Sequence, residues 1–63
     1  MFEQAALAEQ FRVLIAKEQQ AVKICADLEA KAADPSFRQE IGQLLREKQH
    51  HIELAQRLLE IVQ

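Results

Sequence analysis

Apolar residues recur along the first half of the chain at alternating steps of four and three. Leu7, Phe11, Leu14, Ala21, Cys25, Leu28 and Ala32 keep this spacing, and Glu18 completes the series. Such spacing holds one seam of a helix toward a partner helix. Ile15 and Val22 widen the stripe on one side, Val13 and Ile24 on the other. The second half carries Phe37, Ile41, Leu44, Leu45, Ile52, Leu54, Ala55, Leu58, Leu59, Ile61 and Val62, also apolar over more than one seam. Stripes this wide suit helices with two neighbours each, as in a four-helix bundle.

One break divides the pattern, at Ala32-Ala33-Asp34-Pro35-Ser36. Asp34 can cap a new helix by accepting a backbone N–H, and Pro35 fits the first helical position, where its missing donor costs nothing. The residue before a proline is pushed out of the α region. The spacing therefore predicts a single hairpin over residues 1–63: helix 1 from about 3 to 33, a turn at 33–35, and helix 2 from about 35 to 62. So short a link favours antiparallel neighbours. Gly42 stands inside helix 2, either at a close helix approach or on a tolerant surface. The fold class expected is all-α, an antiparallel two-helix hairpin that dimerises into a four-helix bundle.

Composition explains why a partner is needed. A chain of 63 residues is marginal alone, and disulfides, metals or oligomerisation usually compensate. Cys25 is the only cysteine, which excludes a disulfide within one chain and suits a reducing cytoplasm. The formal charge is −2 with both signs interspersed, so no nucleic-acid partner is expected. No apolar run approaches the ~20 residues of a membrane span, and no segment has the build of a signal peptide. A cytoplasmic homodimer or higher homo-oligomer is the expectation.

Glu18 interrupts an otherwise apolar seam, and a carboxylate there is expensive unless paired or metal-bound. In an antiparallel hairpin turning at 33–35, it faces the region of His51. That region reads Glu47-Lys48-Gln49-His50-His51, where the inner face of helix 2 turns polar. Glu47 and His50 are three apart and project side by side; Glu47 with His51, four apart, can also chelate. Two copies would supply two Glu18, two Glu47 and two His50. Four carboxylates and two imidazoles are the ligand set of di-iron and di-manganese carboxylate bundles. Such donors suit Fe or Mn, with Zn also possible.

From Glu18 to Leu59 the chain resembles the helical hairpin of ferritin-like proteins of the rubrerythrin type. The resemblance rests on Glu18, the turn Ala33-Asp34-Pro35, and Glu47-x-x-His50. With one hairpin rather than two, the chain is similar to encapsulated ferritin-like proteins, in which dimerisation assembles the metal site and a shell encloses the protein. The resemblance implies two iron ions per dimer, held by Glu18, Glu47 and His50, with His51 as the alternative ligand. It also implies an oxidoreductase that oxidises ferrous iron or reduces peroxide. The chain departs from the family at Cys25, where an aromatic residue is frequent, and at Lys48 and Gln49 between the ligands.

The competing reading needs no metal. Glu18 would pair with Lys48 or His51 across the hairpin, and the chain would be a non-catalytic adaptor or structural dimer. Lys48, a cation beside the layer, also fits a ferritin-type hairpin that keeps the fold without the ion.

Overall fold

The break at Ala32–Asp34 separates two helices, α1 (Glu3–Lys31) and α2 (Pro35–Val62), in a computed structural model that describes residues 3–63. The expected cap forms: Asp34 is extended, at φ −75° and ψ 124°, and its Oδ2 accepts the Phe37 N–H at 2.9 Å. Pro35 opens the helix behind it. α1 stops at Lys31 rather than Ala33. Ala32 still donates to the Leu28 carbonyl at 2.9 Å, but the chain must then unwind over Ala32 and Ala33 to reach the extended backbone that Pro35 imposes on Asp34.

The helices lie antiparallel along their length, in a body of 51 × 14 × 10 Å. Its radius of gyration is 14.8 Å, against about 11 Å for a compact domain of this length. The buried apolar residues are Ala8, Ile15, Cys25, Ile41 and Ala55, and no large side chain is fully buried among the described residues.

The seam differs from the one expected on α1. Phe11, Glu18, Cys25 and Ala32 belong to it, and Ala21 is half-buried beside Val22, but Ala8, Ile15 and Glu29 take the places expected of Leu7, Leu14 and Leu28. Leu7, Leu14 and Leu28 are 41–45% exposed, whereas Ala8 and Ile15 are 5% and 9% exposed. The apolar stripe of α1 is wider than one seam. α2 docks on its Ala8–Ile15 edge and leaves the leucine edge open. On α2 the seam is Ile41, Leu45, Lys48, Ile52, Ala55, Leu59 and Val62, each buried or half-buried.

Gly42 is buried, and a Cβ there would stand 3.0 Å from the Glu29 carboxylate. The close helix approach is therefore the correct one of its two readings.

The hairpin has two unlike sides. On one, Ala5 and Arg12 share a shallow groove with Gln63, and Gln19 and Lys23 border another beside Ile52. On the other, His51 reaches Glu18 across the seam. Positions seven apart lie on one helix edge, so Leu7, Leu14 and Leu28 of α1 flank the seam on the His51 side. Phe37, Leu44 and Leu58 of α2 do the same, and Ile24, Leu54 and Ile61 lie just beyond them. Of the large apolar side chains exposed among the described residues, only Val13 lies off this side.

Candidate functional site at the polar layer

The seam is charged midway, and toward the turn it also carries Glu29, half-buried beside Gly42. At its centre Lys48 Nζ donates to Glu18 Oε1 at 3.1 Å. His51 Nδ1 stands 3.4 Å from Glu18 Oε2. Lys48 and His51 are three apart on α2 and so approach the carboxylate together. The Glu18 side chain is 15% exposed and that of Lys48 29%. His51 is more open, at 55%.

The partition follows from side-chain length. Glu18 sits in the seam with little water, and a carboxylate there requires a donor. The four-carbon stem of Lys48 lies along the apolar seam while its ammonium reaches the carboxylate. No buried side-chain nitrogen or oxygen among the described residues lacks a partner. The pair also favours one register. Sliding the helices by a heptad would set Glu18 beside Ile41 or Ala55 and strand both charges. A single polar position in a seam specifies alignment in this way, at some cost in stability.

The residues expected to bind metal distribute unevenly. Glu18 is in the layer. Glu47, one residue before Lys48, is exposed on the flank shared with Leu44 and Leu54. His50 faces outward, 63% exposed, with its Nδ1 3.9 Å from Glu53 on the same helix. His51 is the histidine brought to Glu18. Within one chain, therefore, Glu18, Glu47 and His50 do not converge, and the cation beside Glu18 is Lys48. No group of three or more His, Cys, Asp and Glu able to hold a metal ion occurs among the described residues. Cys25 is buried in the seam as a free thiol, two helical turns from Glu18. No described helix is long and apolar enough to cross a membrane.

One residue that the sequence pattern left unremarked joins this level. Lys17 is exposed on the same flank of α1 as Ile24, seven residues on, so it stands on the apolar side at the height of Glu47 and His51. Its signal was that same seven-residue spacing, in a second series parallel to the seam.

Comparison with protein-family models, curated proteins and solved structures gives no significant match.

Proposed function

We propose that the chain is a helical association module: a hairpin held in register by Glu18 and Lys48 that offers its apolar side to another helical surface. The observation that carries this reading is the Lys48 ammonium 3.1 Å from Glu18. It satisfies the half-buried carboxylate within the chain, so the polar layer needs no further ligand. The leucine edge of α1 and the Phe37–Leu58 edge of α2 supply what such a module needs, an exposed surface rich in large apolar side chains.

A second reading is favoured by one specific contact. His51 stands 3.4 Å from Glu18 Oε2, and Glu47 precedes His51 by one helical turn on the open side. Two copies facing each other would bring two such sets to one level, with His51 rather than His50 beside Glu18. In that case the resemblance to rubrerythrin-type proteins would extend to iron, and the ion would supply redox chemistry. Lys48 would have to withdraw from Glu18 first.

Elemental analysis after anaerobic ferrous loading separates the two. The association reading expects no stoichiometric iron and no change in Glu18→Ala. About one iron per chain, lost in Glu18→Ala, would replace it with the metal reading.

A further inference from the structure

Building on the reading of the hairpin as an association module, we infer that the surface covering its apolar side is a second copy of this chain. The two hairpins pack as a four-helix bundle with both turns at the same end.

Area supports a second copy. The hairpin exposes 4839 Å², whereas a compact monomer of 7.2 kDa exposes about 4100 Å². The excess, roughly 700 Å², is close to the ~800 Å² that each partner buries in a standard interface.

Banding points the same way. The apolar side has a polar band, Lys17, Glu47 and His51, halfway along the hairpin, and carries Lys31 and Glu40 near the turn. Leu7, Leu14 and Leu58 lie toward the chain ends, and Leu28, Phe37 and Leu44 toward the turn. A two-fold axis that keeps each level against the same level of the second copy sets polar against polar and apolar against apolar.

Charge then selects the axis. Among the described side chains, the second seam of α1, spaced by three and four like the first, carries Lys17 and Lys31 as its charged residues. The second seam of α2 carries Glu40 and Glu47. An axis across the helices would stack α1 on α1 and α2 on α2, setting lysine near lysine and glutamate near glutamate. An axis parallel to the helices sets α1 against α2 of the second copy, antiparallel and in the register of the hairpin itself. Leu7 then meets Ile61 of the second copy, Leu14 meets its Leu54, and Ile24 meets its Leu44. Lys17 comes level with Glu47 and His51 of the second copy, and the contact occurs twice. All neighbouring helices are antiparallel, which also suits their dipoles.

The test places a spin label beside the turn, at Ala33→Cys in a Cys25→Ala background, and measures label separation in the full chain. Two turns at one end give roughly 20 Å, about two helix diameters. A separation near the 51 Å length of the hairpin would overturn the arrangement, and a monomer would overturn the second copy. Lys17→Glu should weaken the dimer about tenfold or more, and Lys17→Glu with Glu47→Lys should restore it. A dimer indifferent to both would also overturn the pairing, with circular dichroism confirming that each variant is helical. None of these outcomes depends on iron, so they fail separately from the association reading, which falls on stoichiometric iron binding lost in Glu18→Ala.

Discussion

The two sides of this hairpin carry the same helical scaffold and opposite chemistry. The side with Arg12, Gln19, Lys23 and Gln49 is polar and its grooves are shallow. The side with Leu14, Leu28, Leu44 and Leu58 leaves each of these leucines 43–46% exposed. A hairpin built only to stand in water would have no reason to sort its apolar excess onto one side. Singly scattered apolar residues need no explanation, but a sorted surface marks an interaction site.

The largest expected effect comes from charging the apolar side. Leu44→Glu with Leu58→Glu should weaken association by at least about 100-fold, since each leucine contributes roughly 1.5–3 kcal/mol on full burial. Gln49→Glu with Gln56→Glu adds the same two charges to the polar side and should leave association unchanged. Analytical ultracentrifugation of the two double variants compares the sides directly, and equal effects would break the distinction.

The layer between the sides gives the next effect. Lys48→Leu leaves Glu18 with only the more exposed His51 and should cost about 2–3 kcal/mol in urea unfolding. Glu18→Leu should cost less, because the Lys48 stem can carry its ammonium to water. The double variant Glu18→Leu/Lys48→Leu should recover most of the loss or exceed the parent stability. A strictly additive cycle would show that the 3.1 Å contact contributes nothing.

Smaller effects lie at the ends of the scale. Asp34→Ala removes the acceptor of the Phe37 N–H and should cost about 1 kcal/mol in thermal unfolding. Gly42→Ala should gain up to about 1 kcal/mol in helix propensity. The added methyl meets the end of the Glu29 side chain at 3.0 Å and, in ordinary contact, Arg46 Nη1 at 3.8 Å; a loss instead of a gain would mean that the Glu29 carboxylate cannot shift. Val13→Gln, off the apolar side, should change neither stability nor association measurably.

The sequence made the hairpin legible because its signals were local. Asp34 and Pro35 announce the turn through capping and a fixed φ, and the three-four spacing announces two helices. The seam was harder to place. Leu7 and Ala8, or Leu14 and Ile15, are adjacent apolar residues, and spacing alone does not say which of two overlapping stripes meets the other helix. The smaller members, Ala8 with Ala55 and Gly42, allow the closer approach, and the leucines turn outward. Glu18 was legible as a residue needing a partner. Its partner was less so, because Glu47, Lys48, His50 and His51 all fall within one helical turn of the right level. Only the rotation of α2 sets Lys48 in the seam, His51 at its edge within reach of Glu18, Glu47 on the flank and His50 outside.

The most direct measurement is the mass of the folded chain by sedimentation equilibrium. A helical dimer of about 14.4 kDa, twice the 7.2 kDa chain, that dissociates in Leu44→Glu/Leu58→Glu is the expected result. A stable, fully helical monomer of 7.2 kDa would contradict it, because the apolar side would then face water with nothing to cover it.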